Sequence, residues 1–371
     1  MLAKLWAGIG RSWKAGKIAN LGIVGLLGTG FVCATLLAQR PPTDRHVPEM
    51  SEYLSRVQIA EPVVFRHFAL YPILLEGGSQ LRGRWLTMDE AIRRGVLVVS
   101  EKGEGSVPVV VVENRSQDEY VFIMTGEIIA GGKQTRTVRQ DVIVGPGQRI
   151  DLGVFCVERG RWSGEKLFAG GGTIVPHSIQ QELRAGGDQG RVWEGVARAS
   201  RALGAQSRTE SLQDALTAPH VAGKLADFRR GIVPKLPAGT VGYIFVDRGR
   251  ALAMHLFGNE DMATRLLPKL LDACAVDTGI IFGGPEGGPK PDHRVAIEFY
   301  ERVCRAGSQR AQTPGSGAGI RTRASGLLGD GVSFEGHVVH YGVQSEVRIL
   351  PPRPIDPPPR PPIIWPREPE E

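Results

Sequence analysis

Residues 107–157 read VPVVVVENRSQDEYVFIMTGEIIAGGKQTRTVRQDVIVGPGQRIDLGVFCV, and this stretch decides the fold class. Four β-branched or aromatic runs follow one another here: Val107–Glu113, Tyr120–Ala130, Thr137–Val144 and Ile150–Val157. Each is bounded by Gly, Pro, Asn or Asp, the residues that end strands. A further run, Val96–Ser100, precedes them. The connections are too short for parallel crossovers, so the pattern predicts an antiparallel sheet. Strand 120–130 is apolar on both faces, which predicts a central, buried position.

Upstream, Val63–Phe65 and Tyr71–Leu75 read as strands. Thr87-Met88-Asp89-Glu90 reads as a capping box opening a helix to about Gly95. Downstream the pattern turns helical over 176–232, including Ser211 to about Arg230. A hairpin follows, Val241–Val246 and Ala251–Phe257, turned at Asp247–Arg250. Asn259 and Asp292 are N-caps of two more helices. Strand-like pieces return at Val332–Phe334 and His337–Tyr341. The fold class is therefore α+β: a mainly antiparallel sheet, with helices concentrated in the second half.

Hydrophobic residues make up 42% and charged residues 23% of the 371, a composition that folds. With 49 Gly and 26 Pro the chain is not mostly helical. Net charge is +6, but Lys4, Arg11, Lys14 and Lys17 precede residue 39 with no acidic residue among them, which leaves +2 for the rest and argues against a nucleic-acid partner. Leu21–Ala38 is eighteen residues without a charge, about 27 Å as a helix. The flanking cations place the N-terminus in the cytoplasm and export the remainder. An uncleaved membrane anchor fits better than a cleaved signal, because no good small-x-small site is present. The expected organisation is a basic N-terminus (1–20), the anchor or signal (21–38), a linker (39–61) and a globular domain (62–306). A flexible basic loop (307–326), a strand-rich extension (327–350) and a proline-rich tail (351–371) follow. The tail holds ten prolines in twenty-one residues and reads as a spacer or as a docking ligand for a protein partner.

Chemistry concentrates in two segments. Gly126–Arg139 fails as a phosphate-binding loop, since Glu127 and Gln134 stand where glycine and a hydroxyl belong. As a hairpin with Gly131-Gly132 for its turn, it sets Glu127 opposite Arg136 and Met124 opposite Arg139. That is either an ion pair fixing register or a pocket in which Glu127, Lys133, Gln134, Arg136 and Arg139 meet an anionic or carbonyl-bearing ligand. The second segment, Cys156–Ser163, puts Cys156 and Glu158 on one strand face and carries Arg161 and Trp162 past the turn at Gly160. Cys156 lacks a nearby histidine in sequence; His67, His177, His220 and His255 are the residues folding would have to bring in. It reads as a buried apolar thiol. Among Cys156, Cys274 and Cys304, one bridge between the last two is compatible with export. No zinc-ligand spacing occurs, and His337 and His340, three apart on a strand, point to opposite faces. No metal or cofactor is implied.

Together these stretches resemble the domain family named for its association with ARG and rhodanese-phosphatase proteins. The resemblance runs from about Val63 to about Thr278. It rests on Phe68–Leu75, Trp85–Ala91, Ser106-Val107-Pro108, Gly126-Glu127 with Lys133–Arg136, Cys156–Trp162, and Phe257-Gly258 before Leu266–Leu271. The family name describes an association and no reaction. The resemblance implies that the two polar segments share a site. The expectation is an exported, membrane-tethered binding or accessory domain whose polar cleft joins Glu127, Lys133, Gln134, Arg136, Arg139, Glu158, Arg161 and Trp162 around a polar or anionic ligand. One alternative is a phosphoester or ester hydrolase with Glu127 as acid or base and the cations stabilising charge. Another is a structural module docking partners through its tail.

Overall fold

The computed structural model describes residues 42–205, 207–282, 291–324 and 326–346. The basic N-terminus, the anchor or signal segment and the proline-rich tail lie outside these residues. The strands are β1 (Val57–Ile59), β2 (Val63–Phe65), β3 (Phe68–Leu75), β4 (Arg84–Thr87), β5 (Leu97–Ser106), β6 (Val109–Asn114), β7 (Glu119–Ile123), β8 (Glu127–Gly131), β9 (Arg136–Val138), β10 (Val142–Val144), β11 (Arg149–Cys156), β12 (Phe168–Ile174), β13 (Gly242–Asp247), β14 (Arg250–Phe257), β15 (Gln309–Ala311), β16 (Ala318–Ala324), β17 (Leu327–Phe334) and β18 (His337–Ser345). The helices are α1 (Pro48–Ser55), α2 (Met88–Arg93), α3 (His177–Ala185), α4 (Gln189–Leu203), α5 (Leu212–Thr217), α6 (Pro219–Ile232), α7 (Glu260–Thr278) and α8 (His293–Ala306). Six of these eight helices follow residue 176, in keeping with the α+β expectation. No helix among the described residues is long and apolar enough to cross a membrane.

A nine-stranded sheet runs β1-β3-β13-β14-β18-β17-β16-β15, with β2 paired to β3. Its central strands are apolar on both faces because both faces are covered. Phe68, Tyr243, Phe245 and Phe257 face one core, packed with α3 to α7. Tyr71, Ile244, Val246 and Leu256 face the other, with α1 and α8. A six-stranded sheet (β12-β8-β9-β11-β6-β5) and a three-stranded one (β10-β7-β4) enclose a third core with α2. Every pairing is antiparallel except β4 with β7, whose long connection through α2, β5 and β6 permits a parallel approach.

Several expectations are corrected. The 39–61 linker contains α1 and β1, and Met50 and Leu54 are wholly buried. The flexible 307–326 loop contains β15 and β16, which pair with each other and with β17. The strand-rich extension is no appendage, since β18 pairs with β14 in the middle of the large sheet. The helix over 211–230 is split at Pro219, which begins α6. Strand 120–130 breaks at Gly126, whose φ of 87° is open to glycine but costly for other residues. β7 and β8 therefore belong to different sheets, as do β9 and β10 across Arg139–Asp141. The crossover is pinned by Asp141, which accepts hydrogen bonds from the Thr125 amide (2.8 Å) and hydroxyl (2.9 Å). The capping box at Thr87 and Glu90 and the Asn259 cap form as read.

Candidate functional site

The hairpin of the first polar segment is looser than a two-residue turn. β8 and β9 pair Ile128 with Thr137 and Ile129 with Arg136, two residues out of the register expected from a Gly131-Gly132 turn. Gly132 lies under the Phe168 ring, where a Cβ would come within 2.2 Å of it, so the loop widens around that ring. Glu127 is thus not opposite Arg136, nor Met124 opposite Arg139.

Glu127 begins β8 just after the break and turns into the core beneath α7. It is wholly buried, pairs with Lys269, and accepts from the Met124 amide (2.8 Å). Lys269 also holds Asp89 at 2.7 Å. Burial pushes the Glu127 carboxyl up, against the pull of Lys269. Two carboxyl groups therefore share one ammonium. Arg139 is also outside the cluster: it is exposed and lies over Phe155 at 4.8 Å.

The other six expected residues do meet. Arg136, with no exposed side-chain surface, grips both oxygens of the equally buried Glu101 (3.0 and 3.1 Å) and donates to the Ser106 and Val107 carbonyls. The Lys133 amide donates to the same Glu101 (2.9 Å), and Trp162, 49% exposed, covers Lys133 and Arg136 at 5.6 and 5.9 Å. Gln134 accepts from the Cys156 thiol at 3.0 Å, and burial pushes that thiol's pKa up, as suits an inert group. Cys156, Cys274 and Cys304 are all free and buried, so the bridge considered between the last two is not formed.

Arg161 holds Glu158 through Nε (2.9 Å) and Nη2 (2.7 Å) and donates to the Gly131, Gly132 and Ser163 carbonyls. These contacts use all five donors of a guanidinium. The cluster is therefore a clamp between the hairpin loop and the 156–163 corner, and Arg161 has no donor left for an anion.

Burial pushes the Glu158 carboxyl up, but Arg161 and the Thr135 amide outweigh it and hold it at about 2, against an ordinary 4.5. The unfolded chain binds a proton between these values and the folded chain does not. The stabilisation is complete above pH 4.5 and is lost as pH falls toward 2. Glu158→Gln is therefore expected to be less stable than wild type at pH 6, with the gap closing by up to about 3 kcal/mol toward pH 2. Urea unfolding at pH 6, 4 and 3 measures it, and a gap independent of pH would contradict the clamp.

The corner also builds a hollow that sequence reading misses. Gln189, the first residue of α4, bonds the backbone of Cys156 on both sides, to N and O at 2.8 Å each, and docks the helix there. One face of α4 then presents Trp193, Ser200 and Arg201 to Arg159, Ser207 and Glu210 around a hollow of about 290 Å³. The Arg159 guanidinium lies 5.4 Å from the Trp193 ring centre. The indole Nε1–H of Trp193 is buried without a partner. Neither Arg159 nor Arg201 forms an ion pair among the described residues. The available sequence signal was the helical spacing of Trp193, Ala197, Ser200 and Arg201 on one stripe, close after an arginine at a glycine turn.

A second cluster is also invisible to local spacing. His177, His255 and His340 are wholly buried and stand in a row: Nε2 to Nε2 at 3.3 Å, then Nδ1 to Nε2 at 3.1 Å. His340 Nδ1 meets Asp141 at 2.5 Å, and His177 Nδ1 lies 3.8 Å from Asp277 and 3.7 Å from the Cys274 sulfur. Burial, with Arg184 adding to it, holds His177 at about 3, and burial lifts Asp277 to about 7 against its Ser178 bonds.

Comparison with known proteins adds one match. The family model described as ARPP-1, the ARG and Rhodanese-Phosphatase-superfamily-associated Protein domain, covers residues 56–343. It reaches beyond the 63–278 carried by the motifs and takes in β15 to β17 and most of β18. No curated protein and no solved structure matches the chain.

Proposed function

Because the chain belongs to the ARG and Rhodanese-Phosphatase-superfamily-associated Protein domain family, whose name specifies no chemistry, we propose a function from its own residues: it binds a small anionic ligand in the hollow between Arg159, Trp193 and Arg201. Part of the same reading is that Leu21–Ala38 tethers the domain on the extracytoplasmic side of a membrane. The observation that carries the binding is the contrast between arginines. Arg136 and Arg161 are spent on internal partners, while Arg159 and Arg201 line a hollow with no carboxylate paired to either among the described residues.

Two guanidinium groups against the one carboxylate of Glu210 leave the hollow net positive. Guanidinium forks suit carboxylate or phosphate oxygens, and the Trp193 ring suits a planar body. The volume is near the lower end of the ~300–1,000 Å³ typical of small-molecule clefts. The signature clamp supports this role from behind by fixing the strand end that docks α4.

A calorimetric screen of organic phosphates and carboxylates tests the proposal. Arg159→Ala and Arg201→Ala are each expected to weaken the best ligand at least tenfold, since a charge-assisted hydrogen bond contributes about 1.5–3 kcal/mol. Arg139→Ala serves as the exposed control. Binding that survives both substitutions would remove the hollow as the site.

A further inference from the structure

β16 carries a more strongly basic hollow, distinct from the one at Arg159. Arg321 and Arg323, two apart on β16, are both exposed, and with Arg45, Ser308 and Gln309 they line a space of about 180 Å³. The wall is built by interlocking backbone. The Ser308 amide donates to the Arg45 carbonyl (3.2 Å), and Gly307, with φ 76°, packs so close that a Cβ there would lie 2.8 Å from that carbonyl. Thr322, between the two arginines, donates to the Gly307 carbonyl at 2.7 Å.

Among the described residues no carboxylate lines the hollow. Asp330 stands opposite Arg321 on β17, but its carboxylate is paired with Arg184. Neighbouring arginines are neutralised, Arg310 by Glu49 and Arg305 by Glu301, whereas neither Arg45 nor Arg321 forms an ion pair among the described residues. Arg323 donates to the Arg184 carbonyl and keeps its charge. The C-terminus of α8 contributes about half a negative charge, too little to offset three guanidinium groups.

We propose that this hollow binds a phosphate group, either as free phosphate or as the headgroup of an anionic lipid. Its space corresponds to about six waters, room for a phosphate and part of its hydration shell. Three arginines lining one space with no carboxylate among the lining residues favour an oxyanion with several acceptors there.

The test uses the full chain in uncharged detergent, titrated calorimetrically with inorganic phosphate, with and without phosphatidic acid in the micelles. Wild type is expected to bind phosphate, and Arg45→Gln with Arg321→Gln to bind at least tenfold more weakly with unchanged circular dichroism. Arg305→Gln, outside the hollow, should bind as wild type does. Suppression of phosphate binding by phosphatidic acid, only in proteins with the arginines intact, identifies the lipid as the source. Phosphate binding indifferent to the lipid identifies the free ion. Absence of binding at millimolar phosphate without the lipid, or equal binding by the double variant, overturns the proposal.

Discussion

Lys269→Met is expected to destabilise the protein by about 3–5 kcal/mol, the loss typical of breaking a buried ion pair from one side. Methionine keeps most of the side chain's volume but leaves Glu127, wholly buried, and Asp89, whose Oδ1 already lacks a partner, facing each other without a counter-charge. Glu127→Gln is expected to cost much less, because the amide is neutral in the buried position and Lys269 stays paired with Asp89. Combining Lys269→Met with Glu127→Gln and Asp89→Asn should recover much of the loss. Urea unfolding of the four proteins decides it. A loss below about 1 kcal/mol for Lys269→Met alone would contradict a stabilising role for this buried pair.

Arg136→Met is the second large effect, again about 3–5 kcal/mol. Arg136 heads the fully buried side chains by size, and its loss strands Glu101 together with the Ser106 and Val107 carbonyls. Those three groups lie at the ends of the bulge between Glu101 and Ser106, so β5 would lose its attachment to the hairpin loop. Adding Glu101→Gln is expected to return part of the stability, because the amide still accepts from Lys133 but no longer buries a charge. If the double variant were less stable than Arg136→Met alone, the carboxylate would be supported by groups other than this arginine.

These two pairs also mark how far the sequence could be read. Local rules succeeded where one segment sets its own geometry. The Thr87–Glu90 box, the tight turn at Arg248-Gly249 and the Asn259 cap depend on residues within four positions of one another. Apolar runs identified buried strands but could not show that β7 and β8 leave for different sheets, because a break at one glycine leaves the residues on either side apolar. The clustering of Lys133, Gln134, Arg136, Glu158, Arg161 and Trp162 was legible; their partners were not. Arg136 finds Glu101 thirty-five residues upstream, and Glu127 finds Lys269 on a helix of the second half. Likewise, spacing showed that His337 and His340 part company, yet gave no sign that His340 joins two histidines from other elements.

That histidine row has a consequence in where its hydrogens sit. If His340 is neutral and its Nδ1 donates to Asp141, its Nε2 is an acceptor, so His255 must donate from Nδ1 and accept at Nε2, and His177 must donate from Nε2. The opposite order, in which His340 Nε2 donates to His255 Nδ1 and His255 Nε2 donates to His177 Nε2, leaves the Nδ1–H of His177 aimed toward Asp277. The three rings thus have two self-consistent orders, like dominoes standing or fallen. The two orders differ only in where hydrogens sit, so every carbon and nitrogen keeps its place in either.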